Sequence, residues 1–462
     1  MPGTKPSLPK GTRDFLPQQM VQRQYVINTV KTIFERYGYE PLETPSIEKL
    51  DVLSGKYGEE GENLLFKVLK RGTGLEDLQR GSKEFVVKKQ SELVDEALRY
   101  DLTVPLSRVI AMHQDKISLP FKRYQIQPVW RADRPQRGRY REFYQCDVDT
   151  VGSESMLADA EVIAIINDVL ESLGFDKFKI RINNRKILDG ILAHAGVDSE
   201  KAASVLIAID KLDKIGIDGV RSEFEKRGMS EDSIKKILTV LEISGAPKEV
   251  LSTLSKTISQ NATLDEGTDE LQQIINYLSD LGVPQNRCKI DLYLARGLGY
   301  YTGPIYETVV EEPKIGSLSG GGRYDHLIGM FLGREIPATG TSFGIERIID
   351  VMAELGMFPV SQTKIAVLVT LFDSSTLGGS LNFTQELRKA GINAENFLNL
   401  AKFKKQLSYA NKKGIPFVAI IGPNELIENS VTIKNMKSGE QKTFERRKAV
   451  EYLKKQEKVI RC

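Results

Sequence analysis

The chain has 462 residues, with 65 Lys and Arg, 62 Asp and Glu, three His and three Cys, for a formal charge of +3. At roughly 100–200 residues per domain this length predicts two to four domains, and 40% hydrophobic with 27% charged residues excludes a largely disordered chain. No apolar run approaches the roughly 18–20 residues of a membrane span, and Cys146, Cys288 and Cys462 lack the spacing of a disulfide framework or zinc site.

The start, Met1-Pro-Gly-Thr-Lys5, has neither the apolar core of a signal peptide nor the character of a transit peptide. A reducing compartment, the cytoplasm, is therefore expected. The small net charge conceals a division. From Lys402 to Cys462 there are fifteen Lys and Arg against six Glu, a net +9, so the first 401 residues carry −6. Such a basic segment suits contact with nucleic acid, and it equally suits a solvated lysine surface.

In chain order, residues 20–37 repeat apolar side chains at helical spacing and stop at Gly38. Residues 39–45 read as a short extended piece with Pro41 and Pro45 in it. Residues 55–92 read as a loop or hairpin region, and 102–112 as a helix with Pro105 near its start. Residues 121–130 and 142–149 alternate as strands of one hairpin, whose eleven-residue tip from Arg131 to Arg141 holds five arginines. A helix is predicted over 157–173 and a strand over 178–182. Residues 187–285 are helical in pattern and read as an insertion. Strands return at 290–294 and 305–311, then Gly320-Gly-Gly-Arg-Tyr-Asp325, and a helix opens around Ser342-Phe-Gly-Ile-Glu-Arg-Ile-Ile349. Beyond a boundary near 356–363, strand and helix alternate, which predicts a small α/β domain with a mainly parallel sheet.

Six places can carry chemistry. Arg131 stands where a strand ends, and a rigid strand end lets a guanidinium grip a phosphate in a bidentate way. Gln145, Asp147 and Asp149 fall at i, i+2 and i+4, so they share one face of a strand. Asp101 and Thr103, two apart on a piece read as extended, can hold an ammonium or cap the helix that follows. Arg296-Gly-Leu-Gly-Tyr-Tyr301 pairs a cation with two aromatics, as a phosphate and ring site or as a turn with core tyrosines. The glycine run at 320–322 could cradle phosphate, although it has neither P-loop nor dinucleotide spacing. Arg347 stands in the first turns of a helix. The three histidines, His113, His194 and His326, make no metal spacing. Arginines with glycine-rich loops point to phosphate-rich substrates.

Together these segments resemble class II aminoacyl-tRNA synthetases, specifically the histidyl-tRNA synthetase family, over essentially the whole chain. Leu8-Pro-Lys-Gly-Thr-Arg-Asp-Phe-Leu-Pro17 resembles the family's opening. The helix at 20–37 with the strand to Pro45 resembles the class dimerisation motif. Residues 121–149 resemble the second class motif and 340–347 the third. Leu98-Arg-Tyr-Asp-Leu-Thr103, Ala295-Arg-Gly-Leu-Gly-Tyr-Tyr301 and Gly321-Gly-Arg-Tyr-Asp325 resemble the histidine-specific signals. Gly299 departs from the pattern, where an acidic residue is usual, and so does His326, where glycine is usual.

The resemblance implies an α+β catalytic domain with a mainly antiparallel sheet over residues 1–357. It is interrupted by the helical insertion 187–285 and followed by an α/β anticodon-binding domain over 362–462. It implies a ligase that activates L-histidine with ATP and Mg²⁺ and charges its tRNA, as a cytoplasmic homodimer with no membrane part. Arg131, Arg296 and Arg347 become the catalytic arginines. Asp101, Thr103 and Gln145 hold the amino group of histidine, while Asp149, Tyr300 and Tyr301 read its imidazole. Asp133 joins Arg131, Arg296 and Arg347 on the ATP side. Gln136 and Arg137 meet the tRNA acceptor end. No side chain is assigned to a metal. The competing readings are the regulatory subunit of ATP phosphoribosyltransferase, which resembles only the catalytic part, and a class II synthetase for another amino acid.

Overall fold

The computed structural model describes residues 5–55, 61, 63–70, 93–136, 138–296, 300–358 and 363–461. The chain divides into two compact units, Met1–Arg13 with Val26–Glu354, and Asp14–Tyr25 with Leu355–Cys462.

The larger unit is built on an eight-stranded sheet. Its strands are β1 (Glu40–Pro41), β5 (Phe121–Trp130), β6 (Glu142–Val151), β7 (Phe178–Asn184), β8 (Cys288–Ile290), β9 (Pro304–Val310), β10 (Ser319–Arg323) and β11 (Ala338–Phe343). They run in the order β1-β5-β6-β11-β10-β9-β7-β8. Only the two edge pairs, β1 with β5 and β7 with β8, are parallel. A separate antiparallel sheet orders β2 (Ile47–Lys49), β4 (Val94–Leu98) and β3 (Lys67–Leu69). Within the 55–92 region, β3 is a short strand, and residues 56–60, 62 and 71–92 lie outside the described residues.

One face of the large sheet is closed by the helix Met156–Ser172, which packs on β6, β10 and β11. The Ser155 side chain accepts from the Leu157 N–H and so caps its first turn. Ala160, Val162, Ile163, Ile165, Ile166 and Val169 are all fully buried. A helix apolar nearly all round belongs inside a core, and cutting Ile163 to Ala should cost about 2–5 kcal/mol. Asp159 of this helix pairs with Arg323 of β10, both buried. The opposite face of the sheet therefore carries the polar rows described below.

The extended piece at 39–45 pairs as a strand only at Glu40 and Pro41. Prolines at 41 and 45 lack the N–H that a ladder needs. The fully buried Arg99 donates instead to the carbonyls of Thr44 (2.6 Å), Pro45 (3.2 Å) and Pro128 (2.9 Å). The strand expected over 290–294 ends at Ile290. Asp291 adds one more main-chain bond, to the Ile182 carbonyl at 2.8 Å, and its carboxylate is held 2.5 Å from Arg181. Helices from Arg185–His194 to Ala262–Asp280 fill the chain between β7 and β8.

The smaller unit holds a five-stranded sheet of β12 (Val367–Val369), β13 (Ala394–Asn396), β14 (Phe417–Ile420), β15 (Ser430–Asn435) and β16 (Gln441–Glu445), in the order β13-β12-β14-β15-β16. Alternation along β12 sends Val367 and Val369 into one core with Phe383 and Leu453, and Leu368 into another with Ala410 and Val418. The sheet is mixed rather than mainly parallel. β12 pairs in parallel with β13 and β14, but β14–β15 and β15–β16 are antiparallel. The link 421–429, holding only the short helix Pro423–Ile427, is too brief for a parallel crossover.

Candidate active site

Strand register assembles the site. Across the sheet, Arg123, Asp149, Gly340 and Gly322 stand side by side on β5, β6, β11 and β10. Two residues along, Gln125, Asp147, Ser342, Gly320, Glu307 and Arg181 form a second row on the same face.

Arg123 and Asp149 make a buried ion pair at 2.8 Å. Arg123 also donates to the Leu102 carbonyl (3.3 Å) and to Gln125 Oε1 (3.4 Å). The buried Tyr324 hydroxyl donates to Asp149 Oδ1. Burial pushes the Asp149 carboxyl up, and Arg123 and Tyr324 oppose it. A Cβ at Gly340 would stand 2.1 Å from Asp149 Oδ1, so only glycine fits beside this carboxylate. A Cβ at Gly322 would come 3.0 Å from the Tyr301 ring. Tyr301 lies with its centroid 4.4 Å from Tyr300, and Tyr300 meets Tyr324 edge-on at 6.4 Å. The result is a slot with a glycine floor, aromatic walls and one oriented carboxylate.

Next to Asp149, burial pushes Asp147 up to about 7; Asp149 and Asp101 add to this, while Arg123 and Ser342 oppose. Gln145 Nε2 donates to Ser342 Oγ at 3.4 Å. Gln145 Oε1 and Asp147 Oδ1 are buried acceptors without a hydrogen-bond partner among the described residues. Such acceptors suit a cationic donor arriving with a substrate. Loss of solvation, with Asp101 and Asp147 nearby, pushes the Tyr300 phenol up to about 12 against the pull of Tyr301 and Arg131. The charges of Asp101 and Arg131 are thus near enough to Tyr300 to act on it.

A second cluster is cationic. Arg296 Nη2 lies 2.8 Å from Glu307, and Nη1 donates to Ser317 Oγ at 2.9 Å. Arg347 Nη1 donates to the Ser317 carbonyl at 2.8 Å. Burial, and then the neighbouring charge of Arg296, lowers the Arg347 pKa; Arg139 adds to this and Glu307 opposes. Two guanidinium groups held against one serine in this way suit a polyanion. Arg131 is fixed separately: Nε donates to the Tyr100 carbonyl (3.2 Å), and the group stacks over the Tyr100 and Phe143 rings at 4.2 and 5.2 Å.

Most of the expected residues gather here: Gln145, Asp149, Tyr300, Tyr301, Asp101 and Arg131 around the slot, and Arg296 and Arg347 in the cationic cluster. The Asp101–Thr103 piece is not extended. Thr103 already opens the helix Thr103–Met112, and Asp101 Oδ1 accepts from the Val104 N–H at 3.2 Å, so the carboxylate also serves as a cap. Residues 320–322 form no phosphate loop. They are the middle of β10, where missing side chains leave room for the slot. Asp133 engages through its main-chain carbonyl, which accepts from Arg141 at 3.1 Å. Gln136 bridges to Arg139 through main-chain bonds of 2.9 and 3.2 Å at the hairpin tip. Arg137 and Gly299 lie outside the described residues.

Sequence reasoning missed Arg123, Glu307, Ser317, Tyr324 and Ser342, and it left Asp147 without a role. One signal was present. Arg123, Gln125 and Gln127 alternate with Tyr124 and Ile126 along a strand, which marks a polar face worth burying.

Two family models match the chain. One, described as histidyl-tRNA synthetase, covers residues 11–78 and 75–348. The other, an anticodon binding domain, covers 367–456. A histidine–tRNA ligase of Bacteroides fragilis is 47% identical over 441 residues, spanning 95% of this chain and 96% of that protein. One of Cytophaga hutchinsonii is 45% identical over 443 residues, spanning 95% and 97%. The crystal structure of histidyl-tRNA synthetase from Nostoc sp. PCC 7120 superposes with a TM-score of 0.86 at 33% identity, covering 98% of this chain and all of that one. The chain belongs to the histidyl-tRNA synthetase family.

Proposed function

We infer that the chain is a histidine–tRNA ligase, which uses ATP to attach L-histidine to its tRNA through a histidyl-adenylate and releases diphosphate, then AMP. The observation that best supports the location of the chemistry is the oriented Asp149 carboxylate in a glycine-floored slot beside the Arg296–Arg347 cluster. In this reading Asp149 accepts the imidazole N–H, with Arg123 and Tyr324 fixing its orientation and Tyr300 and Tyr301 flanking the ring. A non-polar analogue would leave this buried carboxylate unpaired, which is how a site rejects it strongly. Asp101, Thr103, Gln145 and Asp147 receive the ammonium.

The substrate carboxylate attacks the α-phosphorus of ATP. A new O–P bond forms, the bond to the bridging oxygen breaks, and diphosphate leaves with the electron pair. Negative charge grows on the phosphate oxygens, where Arg131 and Arg296 stabilise it while Arg347 holds the departing phosphates. Both of the first two arginines are already fixed by neighbours, so little reorganisation accompanies the reaction. Asp133 stands on the ATP side. The hydroxyl of the tRNA terminal adenosine then attacks the adenylate carbonyl, and AMP leaves.

No three His, Cys, Asp or Glu that could hold a metal come together among the described residues, and Glu307 is engaged by Arg296. Mg²⁺ would therefore arrive on the phosphates of ATP, as this ion commonly does.

Residues 1–357, interrupted by 187–285, act as the catalytic core in this reading, and 362–462 as the anticodon-binding domain. Its +9 tail offers the RNA backbone a cationic surface, and Gln136 and Arg137 meet the acceptor end. The enzyme works as a homodimer in the cytoplasm; among the described residues no helix is long and apolar enough to cross a membrane. ATP–diphosphate exchange measured with each of the twenty amino acids tests the assignment. Stimulation by histidine alone is expected, and stimulation by a different amino acid instead would overturn it.

A further inference from the structure

Arg181 of β7 is the far end of the second polar row, opposite Glu307 of β9. Its guanidinium meets three carboxylates. Nε lies 2.5 Å from Asp291, Nη1 lies 2.7 Å from Asp213, and the same Nη1 lies 3.5 Å from Glu307 Oε2. The other oxygen of Glu307 is the one that holds Arg296, at 2.8 Å. An unbroken chain of charges thus runs from Asp213 through Arg181 and Glu307 to Arg296.

The three carboxylates are not equivalent. Asp291 is fully buried and follows directly on β8, and Glu307 is buried within β9. Asp213 belongs to the helical run between β7 and β8, and its side chain is 52% exposed. It stands at the start of Leu212–Lys226, before Gly216, whose φ of 68° and ψ of 177° break the helix. Only glycine takes such a backbone geometry readily. Asp213 is therefore carried by a short turn that is separated from the rest of its helix, and it is the most easily withdrawn of the three.

We propose that Asp213 is a positioning residue for Arg296, acting through Arg181 and Glu307, so that the helical run between β7 and β8 tunes adenylate formation. With Asp213 in place, Arg181 Nη1 is satisfied and Glu307 remains committed to Arg296. When Asp213 withdraws, Nη1 turns to Glu307, the other carboxylate it already meets at 3.5 Å. The two arginines then compete for one charge in a poorly solvated place, where such competition is strong. Arg296 loses its fixed position and with it part of its hold on the α-phosphate. Any ligand that displaces the turn before Gly216 would act by the same route. The proposal rests on the role given above to Arg296.

The test is ATP–diphosphate exchange by the full-length enzyme, without tRNA, for Asp213→Ala, Arg296→Ala and the double variant. Asp213 is half exposed, so its variant should fold, and thermal unfolding checks this. Asp213→Ala is expected to lower kcat about three- to tenfold with unchanged KM for ATP and histidine, and to cause no further loss in the Arg296→Ala enzyme. A kcat within about twofold of the parent would overturn the proposal, as would the same fold loss in both backgrounds, which marks independent action. If Arg296→Ala itself left exchange unchanged, the site reading would fall along with the proposal.

Discussion

Arg123 and Asp149 face each other at paired positions of β5 and β6, 2.8 Å apart and both buried. Neither charge has bulk water to stabilise it, so each depends on the other, and the remaining Asp149 oxygen is aimed by Tyr324. Replacing one partner leaves the other stranded, which costs about 3–5 kcal/mol in buried pairs. Asp149→Asn should raise the KM for histidine about 100-fold, the scale of a lost charged hydrogen bond, while the KM for ATP stays near that of the parent. Exchange kinetics with each substrate varied in turn separate the two, and an equal change in both would place Asp149 outside the histidine pocket.

Asp147 sets a pH dependence. Burial raises its folded-state pKa to about 7, above roughly 3.9 in the unfolded chain. The folded protein then holds the proton more tightly. This contribution to stability is complete below pH ~4 and is lost as pH rises through about 7. Asp147→Asn cannot ionise, so its stability should decline less than the parent's between pH 4 and 8. Urea unfolding at several pH values reads this directly, and parallel curves for the two proteins would contradict it.

Glycine at 340 and glycine at 320 should behave differently. A Cβ at 340 would lie 2.1 Å from Asp149 Oδ1, whereas one at 320 meets Arg296 Nη1 at 3.8 Å, an ordinary contact. Gly340→Ala should lower histidine-dependent exchange by about 100-fold or more, because a misplaced group of about 1 Å costs that much. Gly320→Ala should stay within about tenfold of the parent. Comparable losses in the two variants would show that the floor is not shaped around the carboxylate.

Arg296→Ala should slow exchange about 100- to 1000-fold, as loss of a preorganised charge stabiliser does, with little change in ATP binding. Single-turnover adenylate formation and equilibrium nucleotide binding, measured side by side, decide this. Equal losses in both would assign Arg296 to ground-state binding.

Charging and exchange should part company in salt. If the tail with fifteen basic residues grips the RNA backbone, tRNA binding releases counterions, and raising salt from 50 to 200 mM weakens it steeply. The KM for tRNA should rise at least tenfold, whereas exchange without tRNA should change far less. A flat response would remove the basic tail from RNA binding.

Local chemistry made much of this protein legible without coordinates. Period-2 alternation over 121–130 and 142–149 announced the β5–β6 hairpin and placed Gln145, Asp147 and Asp149 on one face. Helical spacing found Pro17–Arg36 and Met156–Ser172 to within a few residues. The resemblance in seven segments identified the family. These features depend on residues close in sequence, so a linear reading reaches them. The partners across strands do not. Asp149 meets Gly340 only through the pairing of β6 with β11, and Tyr324 reaches it from 175 positions away. Ser317 joins Arg296 and Arg347 because a loop and a helix are folded against one sheet. The same holds for residues 320–322, a glycine run that could have cradled phosphate but lacked P-loop spacing, and that became a strand once β9 and β11 supplied partners on both sides. Sequence alone determined which residues are charged, small or apolar and on which side of an element they fall. Tertiary structure decided which of them meet, because burial and register couple positions that the chain keeps far apart.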